Sequence, residues 1–263
     1  MRQIEQFYDQ TANDEWTRLE LHPMEFALTM RAFAEYLPLA PAALLDIGGG
    51  PGRYAIALSK QSYQVTLLDL SANNIALARQ KAVEAGVILA DVIHGNALDL
   101  TSIADAHYDA VLLMGPLYHL FTAAERLQAI HEAKRVLKPS GRLFAAFITR
   151  FAPLRYYASR NPHWLARNVE AAHRLLETGI NEVDSFTAYF AHPTEIRPLM
   201  ESVGLSTLQI IGVEGITPRR EDPVNALTGE DWDAWEALNY RLGKDPASHG
   251  AADHLLYIGS KQG

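Results

Sequence analysis

The chain has 263 residues, 48% of them hydrophobic and 21% charged, and a net charge of −8 at pH 7 from 23 basic and 31 acidic side chains. That size and balance suit one large folded domain, or a domain with an insertion, and exclude a fibrous repeat or a disordered chain; the charges are mixed along the sequence, which argues against a protein that grips nucleic acid through a basic face. The absence of cysteine excludes disulfides, thiolate metal sites and a cysteine nucleophile together.

The N-terminal stretch MRQIEQFYDQTANDEW has acids and amides where a signal peptide has an apolar run, and no later run reaches membrane-spanning length. The chain therefore reads as cytoplasmic, with no membrane partner. Residues 1–40 are expected to form a helical cap in which Trp16, Leu19 and Phe26 pack inward while Glu15, Arg18 and Glu25 face water. From about Ala42, short apolar runs alternate with helical stretches, the pattern of a parallel sheet covered by helices on both faces. ALLDI is a strand, the stretch LLDIGGGPG carries it into a glycine loop, and a helix follows over Arg53 to Gln61. QVTLLDL is the second strand, ending at Asp69, and Ser71 is placed to cap a helix that Gly86 closes. VILADVIHGNALDL runs from a third strand into a loop, and YDAVLLMG is a fourth strand, followed by PLYHLF. Thr122 and Glu125 have the spacing of a capping box for a helix ending near KPSG, a turn that feeds the strand RLFAAFIT. After Arg150 the rhythm breaks. FAPLRYYASRNPHWLARNVEAAHRLLETG reads as an inserted helical lid, and strands resume at LSTLQIIGVEG and end at HLLYIGSK.

What the glycine loop holds decides the chemistry. A nucleotide-hydrolase phosphate loop needs Gly-Lys-Ser/Thr after four residues, and that pattern is absent. A dinucleotide fold needs a third glycine three places after the second, to let helix and strand pack closely over a pyrophosphate. Counting from Gly48 and Gly50, that place is Arg53; the glycines fall instead at Gly48, Gly50 and Gly52.

A GxGxG loop after an apolar strand containing Asp46 resembles the first motif of class I S-adenosylmethionine-dependent methyltransferases, and the stretches that follow are similar to the family's later motifs in order. Asp69 matches the acidic second motif, HGNALDL the third, YDAVLLMGPLYHL the fourth, and RVLKPSGRLF the turn after it, so the resemblance covers roughly Leu44 to Thr149. It implies an α/β fold: a Rossmann-like, doubly wound, seven-stranded, mostly parallel sheet with helices on both faces. An N-terminal helical cap over 1–40, a cofactor-binding core over 41–150, a lid over 151–185 and completion of the sheet over 186–263 are the expected divisions.

The resemblance also implies the cofactor, S-adenosyl-L-methionine, and its contacts. Asp46, Gly48, Gly49 and Gly50 would meet its methionine part, Asp69 both ribose hydroxyls, and Leu70 the adenine. Asn96 stands where the family has an acid, a departure in which its side-chain oxygen would accept from the adenine amino group, with Ala97 beside it and Asp99 as a fallback. Met114 would close on the cofactor through its backbone. The runs EWTRLELHPMEF and MGPLYHL resemble a bacterial subgroup of small-molecule methyltransferases, which makes Tyr8, Trp16 and Arg18 cofactor- or substrate-facing candidates.

The strand-end rule for open α/β sheets puts Tyr118 and His119 near the reaction. His119 is the candidate base, because imidazole titrates near neutrality and can take a proton from an acceptor, and Tyr118 would shape the pocket or bond the acceptor. In the insertion, Arg155, Tyr156, Tyr157, Arg160, His163 and Trp164 could recognise a planar or anionic acceptor or could equally pack on the N-terminal helix, and YFAHP could bring His192 to the same cavity. HEAKR at His131 lacks the second histidine of a zinc-protease helix, so no metal is expected. The expected activity is methyl transfer to a small-molecule acceptor by a monomer or homodimer, with no nucleic-acid partner. The alternatives are a nicotinamide oxidoreductase, motivated by the same loop and Asp69, and a cofactor-binding sensor without turnover.

Overall fold

The computed structural model describes residues 5, 8, 9, 11, 12, 16, 17, 20–181, 188–218 and 221–262. Helix α1 (Pro23–Tyr36) leads into β1 (Ala43–Ile47), α2 (Arg53–Ser59), β2 (Gln64–Asp69), α3 (Ala72–Glu84), β3 (Asp91–His94), β4 (Tyr108–Leu113), a 3-10 turn (Pro116–His119), α4 (Ala123–Val136) and β5 (Leu137–Ile148). The second half supplies α5 (Ala152–Arg160), α6 (Trp164–Arg167), α7 (Val169–Thr178), β6 (Ile180–Asn181), β7 (Ala188–Tyr189), α8 (Pro193–Ser202), β8 (Leu205–Gly212), α9 (Glu221–Asn225), α10 (Gly229–Gly243) and β9 (His254–Lys261).

Seven strands form one sheet in the order β3-β2-β1-β4-β5-β9-β8, parallel except where β9 runs antiparallel between β5 and β8. The chain winds outward from β1 to β3, then returns to place β4 on the other side of β1. That reversal splits the crossover helices between the two faces and opens a crevice beyond the carboxyl ends of β1 and β4. Strands buried on both faces read as continuous apolar runs, and alternate residues feed opposite cores. Leu44, Ala110, Leu112 and Phe144 meet α1, α2, α3 and α10 on one side. Leu45, Ile47, Val111, Leu113 and Leu143 meet α4 and α8 on the other. Each fully buried leucine among them contributes roughly 2 kcal/mol.

Local signals end the helices where the sequence places them. Ser71 Oγ accepts from Asn74 N at 3.1 Å, Thr122 and Glu125 close a capping box, and Gly86 turns the chain at φ +68°. The fifth strand begins earlier than RLFAAFIT suggests. Leu137 already pairs with Tyr108, and the register shifts before Ala110 pairs with Arg142, so KPSG lies within an extended run that leaves the ladder at Ser140. Beyond Arg150 the chain forms three short helices and the two-stranded β6-β7 ribbon. Arg150 fastens that unit: it donates to Leu176 O at 2.9 Å, at the end of α7, and pairs with Glu195 at 2.6 Å. Among the described residues, no helix is long and apolar enough to cross a membrane.

Candidate active-site cleft

A cleft of about 690 Å³, its open mouth included, lies at the sheet's reversal point. Its floor is the glycine loop. Gly48 N donates to Leu68 O at 2.7 Å, which ties the loop to the end of β2. Gly48 has φ +71°, and a Cβ there would stand 2.6 Å from Pro116 Cδ, so only glycine lets this loop pass under the exit of β4. Gly50, at φ +55°, has nothing within 4 Å where its Cβ would be and leaves open space above the loop.

Asp69 closes the β2 side. Its Oδ2 accepts from Gly50 N at 2.8 Å, and its Oδ1 accepts from Ser71 N at 2.9 Å and Asn74 Nδ2 at 3.2 Å. Burial pushes its pKa up against those three donors, which pull it down. Leu70, Gly95, Asn96 and Ala97 continue the wall, and His94 Nε2 holds Leu70 O at 2.8 Å. Asn96 turns its Oδ1 to its own loop, accepting from Leu98 N at 2.9 Å. Asp99 is fixed by Thr101, whose backbone and hydroxyl bonds lower its pKa.

The opposite wall comes from Gly115, Pro116, Tyr118, His119 and Leu120. Arg126 Nη1 donates to Leu120 O at 2.7 Å and Phe121 O at 3.0 Å, anchoring the chain just past His119. Tyr118 sets its ring against His119, centroids 4.7 Å apart, and packs against the apolar cluster of Ile148, Ala152, Leu175, Ala188 and Phe190. Tyr8 reaches in from the N-terminal segment to line the same space.

The fold thus gathers Tyr8, Gly48, Gly50, Asp69, Leu70, Asn96, Ala97, Tyr118 and His119 around one cleft. Several other expected site residues lie elsewhere, for identifiable reasons. Asp46 and Gly49 are beneath the loop, not in its wall: a Cβ on Gly49 would stand 2.8 Å from Asp46 Oδ2. Met114, expected to act through its backbone, is not among the residues lining the cleft, and its side chain packs into the core under α1, the side that strand alternation gives it. Trp16 lies outside α3, with Lys81 Nζ 5.0 Å from its ring and its Nε1 on Glu20. Arg18 lies outside the described residues. The lid residues are a correction as well. Arg155 is taken up by Asp253 at 2.6 Å and by the carbonyls of Gly250 and Ala252; Trp164 is stacked on Tyr157 with centroids 3.8 Å apart; Tyr156 is exposed. His192 is the cap of α8, its Nδ1 on Thr194.

Asn74, Gly95 and Leu120 were not singled out in the sequence. Of these only Gly95, in HGNALDL, carries a signal: a Cβ there would press to 3.0 Å from Leu68 Cδ1. Outside the cleft wall, Glu25, Glu214 and His254 bring their ligating atoms within 4.8 Å of one another, and His254 bonds Glu214 through both N and Nδ1.

Asp46 is wholly buried, and neither carboxylate oxygen has a hydrogen-bond partner. Burial and the charge of Asp69 push its pKa up to about 7. Because that value lies above the unfolded one, the stability that goes with the protonated form is present at acid pH and lost as pH rises through about 7. An uncharged amide escapes this loss. In the ligand-free protein, the stability advantage of Asp46→Asn over wild type is expected to grow by about 2.5 kcal/mol between pH 5 and pH 8. Urea unfolding at the two pH values measures it, and an unchanged difference means that Asp46 is ionised without cost.

A sequence-family profile described as "Methyltransferase domain" matches residues 45–145, from β1 to the middle of β5. Among curated relatives, the ubiquinone biosynthesis O-methyltransferase of Xylella fastidiosa (strain 9a5c) is 29% identical over 67% of this chain and 66% of its own length. That of Sodalis glossinidius is 31% identical over 65% and 62%. The chain thus spans just under two thirds of the length of these relatives. Among solved structures, an S-adenosylmethionine-dependent methyltransferase from Methanosarcina mazei superposes with a TM-score of 0.61 at 20% identity, covering 88% of this chain and 97% of that one. A possible histamine N-methyltransferase from Thermotoga maritima gives 0.60 at 17% identity, covering 97% and 98%. The glycine loop, the strand order and this profile agree: residues 45–145 match a methyltransferase domain, and the fold is shared with methyltransferases of known structure.

Proposed function

We propose that this protein transfers a methyl group from S-adenosylmethionine to a small-molecule acceptor and releases S-adenosylhomocysteine. One observation carries the reading: Gly48, Gly50 and Asp69 face a single cleft at the reversal point of the sheet. The residues present fit that cofactor. Open space over Gly50 receives a chain that needs close backbone approach, the Asp69 carboxylate borders the cleft for a ribose, and Leu70 offers an apolar face to a base. A cationic guest above the loop would favour the ionised form of Asp46, whose buried carboxyl has no hydrogen-bond partner.

The bound cofactor would supply an activated methyl carbon, whose bond to sulfur breaks with its electrons returning to sulfur. The protein's own tasks are alignment of the acceptor, exclusion of water and removal of a proton. Tyr8, Tyr118 and Leu120 give the far end of the cleft an aromatic, apolar enclosure suited to a small acceptor. His119 is assigned the role of base. Since the curated relatives are named O-methyltransferases and an imidazole borders the cleft, a hydroxyl compound is the first acceptor class to try.

Incubating the protein with methyl-labelled cofactor and a bacterial metabolite extract, then identifying labelled products by mass, tests the reading. A labelled product with an equal yield of S-adenosylhomocysteine is expected, and His119→Gln is expected to slow its formation about 100-fold without loss of cofactor binding. Binding of the cofactor with no labelled product from any extract would favour a sensor instead.

A further inference from the structure

Tyr8 and Asp9, adjacent in the N-terminal segment, meet opposite walls of the cleft. Tyr8 Oη stands 2.6 Å from His119 Nε2, and the two rings meet edge to face with centroids 5.2 Å apart. These residues are 111 positions apart, and both line the cleft. The next residue fastens the segment to the other wall: Asp9 Oδ1 accepts from Ser71 Oγ at 2.6 Å, and its carbonyl accepts from Asn73 Nδ2 at 2.7 Å, at the start of α3. One short stretch therefore bridges the cleft from the cap of α3 to the turn after β4.

We propose, on the reading of this cleft as a methyl-transfer site, that Tyr8 is a proton-relay residue, taking the acceptor's hydroxyl proton on its phenol oxygen while handing its own proton to His119. The phenol sits on Nε2, so a proton bound for that nitrogen arrives through Tyr8. A phenol is a stronger acid than a neutral imidazole N–H, which makes Tyr8 the donor and leaves His119 with its own N–H on Nδ1. Tyr118 against one side of the imidazole, and Arg126 on the carbonyls of Leu120 and Phe121, keep the ring where the phenol meets it. The balance closes: the acceptor's O–H bond breaks as its oxygen takes the methyl, one proton moves to Tyr8 and one to His119, and the imidazolium carries the positive charge that the sulfonium gives up.

Nitrogen-15 NMR of the full chain, labelled at histidine and saturated with S-adenosylhomocysteine, tests this, with His119→Asn assigning the resonances. A neutral His119 ring protonated on Nδ1 is expected, with an Nε2 resonance that moves in Tyr8→Phe while S-adenosylhomocysteine affinity stays within about threefold. A wild-type ring protonated on Nε2 would overturn the relay, because that nitrogen could accept nothing; so would an Nε2 resonance indifferent to Tyr8→Phe. The wild-type tautomer decides even where the phenylalanine variant loosens the segment. Failure to bind S-adenosylhomocysteine would overturn the methyl-transfer reading and the relay with it, whereas binding with the wrong tautomer overturns the relay alone.

Discussion

Gly48→Ala is expected to abolish detectable binding of S-adenosylhomocysteine and to lower stability by about 2 kcal/mol, from left-handed backbone strain and overpacking together. At φ +71° a side chain is strained before it meets anything, and this one would meet Pro116 Cδ at 2.6 Å and Cγ at 2.8 Å. Pro116 cannot yield easily. It opens the 3-10 turn that carries Tyr118 and His119, and behind it Gly115 already leaves only 3.2 Å from its would-be Cβ to Gly48 O. The glycine loop would have to rise into the cofactor space, breaking the 2.7 Å bond from Gly48 N to Leu68 O. Gly50→Ala is the control: its φ of +55° costs about 1 kcal/mol, but its Cβ meets nothing within 4 Å. Calorimetric titration and urea unfolding of both variants would show Gly48→Ala far worse than Gly50→Ala. Equal effects would mean that backbone strain, not the approach of the two loops, explains the glycine.

Asp69→Ala is expected to weaken S-adenosylhomocysteine binding at least about 100-fold, for two lost ribose hydrogen bonds to a charged acceptor. The same carboxylate organises the wall it belongs to, accepting from Gly50 N, Ser71 N and Asn74 Nδ2. Truncation leaves those donors without their acceptor and releases the Gly50 end of the glycine loop, while Gly48 N stays on Leu68 O, with a stability loss of roughly 1–3 kcal/mol. Titration at several ligand concentrations measures the first effect and urea unfolding the second. Near-native affinity in a folded variant would remove Asp69 from the cofactor site.

The core of this fold was legible because it is written in local terms. Leu44 to Ile47 and Tyr108 to Leu113 are continuous apolar runs, Ser71 and Thr122 are caps, and the glycine spacing at 48, 50 and 52 separates this loop from phosphate and dinucleotide loops. Asp69 and the 116–119 turn reach the cleft because they end or follow strands, whose direction the alternation of elements implies. What sequence spacing could not convey is which partner claims a side chain. Arg155 looks like an acceptor-binding cation until Asp253, 98 residues later, takes it. Trp164 and Tyr157 satisfy each other by stacking, and His192 is used up as a cap. Met114 was placed at the right strand end, but the face its side chain takes follows from the pleat of β4 against α1. Tyr8 is the converse: an aromatic in a segment without strong periodicity, whose place depends on a contact to His119 that no local pattern encodes.

The assignment of the cleft at the reversal of the sheet is tested most directly by titrating the purified wild-type chain with S-adenosylhomocysteine and, separately, with NADH. One S-adenosylhomocysteine bound per chain with a dissociation constant of about 10 µM or tighter, lost in Asp69→Ala, and no binding of NADH, is the expected result. Binding of NADH at that affinity, with S-adenosylhomocysteine ignored, would contradict it.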